Sequence, residues 1–284
     1  MAELPRVPIG RWIDSAVEWL EENAEWVFDY TSDFLSWLIE LIESFLMWPN
    51  PLILTAAFAA FAWWVRSKPF ALFTVLAFPL IDSMRLWEQA MSSLALVLVA
   101  SVIAVAVGVP LGIAATRSPL VSRVTRPALD FMQTMPAFVY LIPAIVFFGL
   151  GEVPGVVATV VFSLPPSVRL TELGIRQVDP EVVEAGHAFG SPPRQILTRI
   201  QIPLALPTIM AGINQVIMLA LSMVVIAGIV GAGGLGAVVL RGITTLDVGR
   251  GFEGGLAIVI LAIFLDRSTS SVSERAFRRQ HAGN

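Results

Sequence analysis

Between Glu184 and Pro203 the sequence reads EAGHAFGSPPRQILTRIQIP, placing a carboxylate, an imidazole, two guanidiniums and two amides within one short stretch. These groups could meet another protein's polar surface, and His187 could in principle sense pH; as a plain surface imidazole it would do neither. Elsewhere reactive side chains are scarce. The chain has no cysteine, so disulfides, thiol catalysis and iron–sulfur clusters are excluded. His187 and His281 are the only histidines, too few for a histidine-rich metal site. Lys68 is the only lysine and is followed by Pro69, so no phosphate-binding loop of the G-x-x-x-x-G-K-[ST] kind exists. A hydrolase in this chain would have to rely on serine or aspartate.

GAGGLG (231–236) satisfies the spacing G-x-G-x-x-G, but a dinucleotide site needs a strand before it and a helix after it. An apolar helical run precedes it here. Gly231, Gly233, Gly234 and Gly236 are therefore expected to break that run at the outer surface, where close-packed or flexible backbone could form an outer gate.

These groups sit in a chain that is 56% hydrophobic and 14% charged, with a mean hydropathy of +0.78. That lies outside the range of soluble domains. Crossing a bilayer takes roughly 20 helical residues, and in lipid each segment must satisfy its own backbone. The expected architecture is an all-α polytopic membrane protein with about seven transmembrane helices, near 51–65, 69–85, 90–116, 128–150, 153–171, 205–232 and 253–267. No internal repeat is visible, so the inverted-repeat signature of many secondary carriers is missing.

The first 48 residues hold ten acids and two arginines, and the remainder holds sixteen basic and twelve acidic residues. From Arg11 to Trp48 no proline or glycine occurs, and the stretch reads as an amphipathic helix. Ile13, Val17, Leu20, Ala24, Val27, Leu38, Ile42 and Phe45 fall on one face. Trp12, Trp19, Trp26, Trp37 and Trp48 form a stripe at its boundary, as expected of a helix lying in the membrane interface. A cation–π cage for a quaternary ammonium is the alternative, but one stripe on a rigid helix cannot close around a ligand.

With the N-terminus outside, thirteen basic residues face the cytoplasm (Arg66, Lys68, Arg117, Arg123, Arg126, Arg169, Arg176, Arg194, Arg199, Arg267, Arg275, Arg278 and Arg279). Five lie outside (Arg6, Arg11, Arg85, Arg241 and Arg250). The positive-inside rule supports this orientation, with the C-terminus and the polar stretch cytoplasmic.

Within that stretch Asp179-Pro180-Glu181 is a helix start, with a capping carboxylate, proline at the first position and an acid at the positive dipole end. The helix runs to Phe189 and meets Gly190, a natural left-handed terminator. Ser191-Pro192 repeats the start signal, and a second short helix follows from Pro193 to Ile200, closed by Pro203. Burying Glu184, Arg194 and Arg199 in lipid would cost at least about 2.5 kcal/mol each. The segment is thus a helix–glycine–helix bracket on the cytoplasmic face. Ala185, Gly186 and Ala188 are small enough to admit another protein closely.

The residues Glu184-Ala185-Gly186, then Gly190 after three more, Ile200 after a further nine, and Ile202-Pro203 resemble the EAA loop of ABC importer permeases, which reads E-A-A, three residues, G, nine residues, I, one residue, L-P. Gly186 and Ile202 depart mildly from it. FMQTMPAFVYLIPAIVFFGLG (131–151), LPTIMAGINQVIMLALSMVVIAGIVGAGGLG (206–236) and LRGITTLDVG (240–249) are similar to permeases of the glycine betaine/proline betaine/choline importers. The resemblance covers most of 87–268. It implies the type I ABC importer permease fold and a transport subunit, not an enzyme, working as a homodimer in a bacterial or archaeal cytoplasmic membrane. ATP and magnesium would be bound by a separate ATPase subunit, and the solute would arrive on an extracytoplasmic binding protein; no nucleic acid is involved.

On this reading 1–48 is the outer amphipathic helix, 49–86 two leading spans, 87–268 the permease domain with coupling loop 172–203, and 269–284 a cytoplasmic tail. Glu184 would contact the ATPase, Gly190 make the turn, and Ala185, Gly186, Ala188, Phe189, Ile200 and Pro203 complete the coupling surface. Gln215, Met218 and Ser222 share one face of the sixth span with Asn214 adjacent, and Gln133 and Thr134 stand in the fourth. Two readings of these polar groups stand level: helix–helix hydrogen bonds, or a weakly polar path for a zwitterion. No acid or base lies mid-way along the sixth span, which weighs against ion coupling there. The rivals are a permease for another small zwitterion or amino-acid-like solute, and an ion-driven secondary carrier.

Overall fold

A computed structural model describes residues 8–281, so Arg6 of the charge count lies outside the described residues, as do the side chains of Ile13, Arg275, Arg278, Arg279 and His281. Among the described residues twelve α-helices follow one another: α1 Ile9–Met47, α2 Pro51–Val65, α3 Lys68–Ser83, α4 Trp87–Arg117, α5 Pro119–Thr134, α6 Leu141–Phe148, α7 Glu152–Arg176, α8 Pro180–Ala188, α9 Pro193–Ile196, α10 Ile202–Ala227, α11 Gly234–Thr244 and α12 Val248–His281. The described residues contain no strand.

Among the described residues four stretches are individually long and apolar enough to cross a membrane: Trp87–Arg117, Glu152–Arg176, Pro193–Val230 and Val248–Ser271. Counting two sharply bent helix pairs as one span each raises this to six. The expected leading spans are the short helices α2 and α3, of 15 and 16 residues.

The expected fourth span, 128–150, is not one helix. Met135 is extended (ψ 137°) because it precedes Pro136, and proline disfavours the helical region for the residue before it. α5 ends at Thr134, a 3₁₀ turn spans Ala137–Tyr140, and the two arms meet at 111°. The Tyr140 hydroxyl donates across the bend to the Met132 carbonyl oxygen.

α4, α7 and α10 form the centre, and small residues let them approach closely. A Cβ on Gly112 of α4 would lie 2.7 Å from Thr171 Cβ of α7. One on Gly212 of α10 would lie 3.1 Å from the Pro166 carbonyl oxygen. Such contacts are how helices associate where hydrophobicity no longer distinguishes neighbour from solvent. An aromatic cluster ties the leading helices to the centre: Phe78 of α3 sits 5.1 Å from both Phe58 of α2 and Phe264 of α12, with Trp87 of α4 edge-on to it.

The long N-terminal helix is present but divided. It kinks at Ala24 (φ −128°, ψ 15°), and among the described residues its packed side chains lie in the second half, Leu35, Ile39 and Leu46 with Leu38 and Ile42 beside them. Of the face read from periodicity, Leu20, Val27 and Phe45 are exposed. Phe45 is a correction: Leu46 takes the inward position, since the helix meets the bundle along a face turned from the one expected. All five tryptophans are 57–88% exposed, a stripe free to meet an interface.

Candidate functional site

The bracket is built as its caps dictate. The Asp179 carboxylate accepts from the Glu181 N–H (2.9 Å), and Pro180 opens α8. The Gly190 N–H returns to the His187 carbonyl oxygen (2.9 Å) and that of Ser191 to Gly186 (3.1 Å), closing the turn with Gly190 at φ +75°. Only a residue without Cβ takes this left-handed geometry cheaply. Glu184, Ala185, His187 and Ala188 are exposed, and Phe189 at the tip is 90% exposed.

Gly186 needs correction. It is buried, and a Cβ there would sit 2.9 Å from Ile200 Cδ1 and 3.4 Å from Ile196 Cγ1. It lets the two arms of the bracket close on each other and does not admit another protein. Ile200 serves the same internal contact, so the outward surface is Glu184, Ala185, Ala188 and Phe189.

Pro203 does not close the second arm. From Pro193 the helix continues to Val230 through a π turn at Leu197–Gln201. Pro203 has no N–H to offer the preceding turn, and the local widening to π geometry accommodates that loss. The second arm of the bracket and α10 are thus one continuous helix, with Glu184 and Phe189 on the arm that precedes it. Behind α8 lies a cavity of about 330 Å³ lined by Arg117, Arg176, Val183, His187 and Gln201 among others.

The candidate path residues divide. Gln215, Met218 and Ser222 lie exposed along one face of α10, and Gln133 and Thr134 are exposed at the end of α5, just before the bend. Asn214 does not join them. Its amide donates to Asp266 Oδ1 (2.9 Å) and accepts from the Thr269 hydroxyl (2.5 Å), tying α10 to α12. Helix–helix hydrogen bonding is the correct reading at this position, because Asn214 is one residue around the helix from the open face.

The sixth span breaks where its glycines stand. α10 ends at Ala227, a 3₁₀ turn follows at Gly228–Val230, and Gly231, Gly233 and Gly234 have φ of +88°, +73° and +59°. Ser93 Oγ of α4 accepts from the Leu235 N–H (2.8 Å), fixing the start of α11.

One feature escaped the sequence. Glu172, with a side chain only 7% exposed, accepts from Ser122 Oγ (2.8 Å), an Arg126 guanidinium nitrogen (3.0 Å) and Arg176 Nε (2.9 Å). Arg176 also donates to the Ala115 carbonyl oxygen (3.0 Å), so one carboxylate joins α4, α5 and α7 just before the bracket begins. Its signal was legible as two i,i+4 pairs, Ser122/Arg126 and Glu172/Arg176, whose hydrogen-bonding groups match. Among the described residues no three histidine, cysteine or acidic side chains converge as a metal site.

Residues 108–278 match the model of the binding-protein-dependent transport system inner membrane component family. The chain is 49% identical over 282 residues to the glycine betaine transport system permease protein OpuAB of Bacillus subtilis, covering 99% of this chain and 100% of that one. It is 45% identical over 266 residues to the glycine betaine/proline betaine transport system permease protein ProW of Escherichia coli, covering 94% and 75%. Among solved structures, the inward-facing methionine ABC transporter MetNI superposes with a TM-score of 0.60 at 20% identity, covering 67% of this chain and 95% of that one. At that identity the likeness speaks for the fold alone.

Proposed function

The chain belongs to the family of binding-protein-dependent transport system inner membrane components, and from this premise we propose that it is the permease subunit of an ATP-driven importer for quaternary-ammonium osmoprotectants. Glycine betaine, proline betaine and related zwitterions are the solute class, taken from relatives that match along most of their length. The observation that carries the mechanism is the bracket itself, exposed at Glu184 and Phe189 and continuous with α10. A partner ATPase gripping that surface moves the bracket, and the exposed Gln215–Met218–Ser222 face of α10 moves with it.

In this reading the bracket and the C-terminus are cytoplasmic, α1 lies on the outer face, and two copies of the chain enclose the path between their α5 and α10 faces. ATP and magnesium stay on the partner. ATP binding must favour one state over the other by about 5.5 kcal/mol to switch the equilibrium almost fully.

The test is reconstitution in vesicles with the ATPase and binding protein. Uptake needs both and ATP; uptake driven by an ion gradient with this chain alone would assign it to the secondary carriers. Glu184→Lys reverses the charge on the exposed arm and is expected to reduce ATP-dependent uptake about tenfold or more while the purified chain keeps its thermal midpoint. Retained uptake in that variant counts against the coupling role. Since the chain has no cysteine, a single Ala188→Cys thiol reports the side on which the bracket lies.

A further inference from the structure

The cavity of about 330 Å³ behind α8 lies where the last turns of α4 and α7 meet both arms of the bracket. Arg117 closes α4, Arg176 closes α7, His187 stands on α8 and Gln201 on the π turn before α10, and all four line it. Val183, one turn before His187, packs against the cluster of Ile175 and Leu197, so the two share the face of α8 turned to the bundle.

Arg176 is fixed in place. Its Nε donates to Glu172 (2.9 Å) and one terminal nitrogen donates to the Ala115 carbonyl oxygen (3.0 Å), at the foot of α4 just before Arg117. Among the described residues its other terminal nitrogen has no protein partner, and neither do the Arg117 guanidinium, the His187 ring or the Gln201 amide. No carboxylate lines the cavity.

Water can satisfy each of these donors singly, but it supplies no charge. Arg117, Arg126 and Arg176 are three cations, and Glu172 is the one carboxylate paired with any of them. The C-terminal ends of α4 and α7 offset about half a charge each, which leaves about one positive charge unmatched beside the cavity. The donors also come from separate elements: α4 and α7 on one side, α8 and the start of α10 on the other. A carboxylate offers two oxygens in one plane and suits a single guanidinium fork. A phosphate group spreads its acceptor oxygens in three dimensions and takes donors from several directions.

We propose that this cavity binds a phosphate group, held by Arg117, Arg176, His187 and Gln201, and that the bound group ties α8 to the ends of α4 and α7. The same chemistry is carried by a soluble phosphate and by a phospholipid headgroup. The site stands without the importer reading. Its consequence rests on that reading: with the cavity occupied, the bracket and the ends of α4 and α7 move as one body under the ATPase.

The experiment uses the full purified chain without its ATPase, so that phosphate has no nucleotide site to enter. Binding of radiolabelled inorganic phosphate is measured in detergent, with chloride holding the ionic strength constant. One saturable site per chain is expected. Arg117→Gln weakens binding about tenfold or more, and Arg117→Lys recovers part of the loss because it restores charge without the fork. His187→Ala, on a different element, weakens it severalfold. Both residues are exposed, so both variants keep the wild-type thermal midpoint. Arg123→Gln, exposed on α5 and outside the cavity, is the control and binds as the wild type does.

The source is read in vesicles of phosphatidylcholine and phosphatidylglycerol in equal parts. Label bound in detergent but displaced in those vesicles supports the site with a lipid headgroup as its occupant; label retained there supports it with a soluble phosphate. Absence of a saturable site in the wild type overturns the proposal, as does unaltered affinity in both Arg117→Gln and His187→Ala. Displacement of the label by acetate as effectively as by unlabelled phosphate also overturns it, by reducing the cavity to unselective positive charge. No step here uses ATP or transport, so failure of this proposal leaves the importer reading untouched. Absence of ATP-dependent uptake in the reconstituted wild type sinks that reading and leaves the phosphate site standing.

Discussion

Both ends of α10 finish in a reversal built on glycine, and the two reversals differ in what surrounds them. At the bracket end Gly190 has φ +75° and open space around the position a Cβ would take. At the far end Gly231, Gly233 and Gly234 have positive φ, and the glycines flanking them are packed backbone against backbone. A Cβ on Gly236 would lie 2.5 Å from the Val225 carbonyl oxygen, and one on Gly242 2.6 Å from Gly251 Cα. At Gly190 the bracket uses glycine for a dihedral angle alone. The far corner uses it for the dihedral and for contact. The bracket tip is open around Gly190 and Phe189, and its second arm packs through Leu197 against Ile175 and Val178. The glycine corner is closed backbone on backbone, so a displacement applied at Phe189 is expected to be largest at the tip and smallest at the corner. The proposed outer-gate role of Gly231, Gly233, Gly234 and Gly236 fits such a pivot better than a flexible flap.

The largest effect should come from filling the packed corner. Gly236→Val places a branched side chain against backbone, which cannot move aside as a flexible side chain would. The expected cost is about 3 kcal/mol or more. It would be read as loss of a cooperative thermal transition in detergent, together with loss of monodisperse protein. A normal transition in this variant would show that the corner yields and that the contrast between the two ends is false.

A middle-sized effect should come from the polar joint at the foot of α7. Glu172→Leu leaves Arg126 and Arg176 without their shared carboxylate, but their side chains are 63% and 44% exposed and return to water. Charge-assisted hydrogen bonds contribute about 1.5–3 kcal/mol when buried, and solvent access lowers the expectation to about 1–2 kcal/mol. The thermal midpoint should fall by about 2–4 °C per kcal/mol for a chain of this size. Because the joint precedes the bracket by a few residues, ATP-dependent uptake should fall further than stability does. An unshifted midpoint with normal uptake would mean that α4, α5 and α7 hold their places by packing alone.

The bracket was readable in the sequence almost residue by residue. Its structure is local: Asp179 caps, Pro180 starts and Gly190 turns, each acting on its nearest neighbours. What escaped was set at longer range. Hydropathy gives the depth of a segment and not its direction, so the apolar run from 128 to 150 concealed the bend at Pro136. Burial of Gly186 depends on Ile196 and Ile200 folding back from the other arm, which spacing alone does not reveal. Asn214 and Gln215 are adjacent in sequence, yet one faces α12 and the other is exposed. A helix turns about 100° per residue, so neighbours of like polarity part company. The hub at Glu172 gathers partners from 46 and 50 residues away, and only the two i,i+4 pairs hinted at it.

The smallest effect on stability sharpens the comparison most. Alanine at Gly190 meets nothing within 4 Å, so Gly190→Ala suffers only the left-handed dihedral, about 1–2 kcal/mol. Gly231→Ala suffers a similar dihedral at φ +88°, and its nearest contact, the Gly151 nitrogen at 3.8 Å, is ordinary. The two substitutions thus carry nearly equal strain at opposite ends of one helix. Strain at an exposed turn is relieved by local rearrangement, so Gly190→Ala should leave the thermal midpoint almost unmoved while weakening ATPase association several-fold. Strain at Gly231 has no such outlet, since Gly228 and Gly236 lock the corner on either side. That variant should lower the midpoint and leave ATPase association intact. Equal midpoints for the pair, measured in the same detergent, would show that the two ends of α10 are equally free and that no pivot exists.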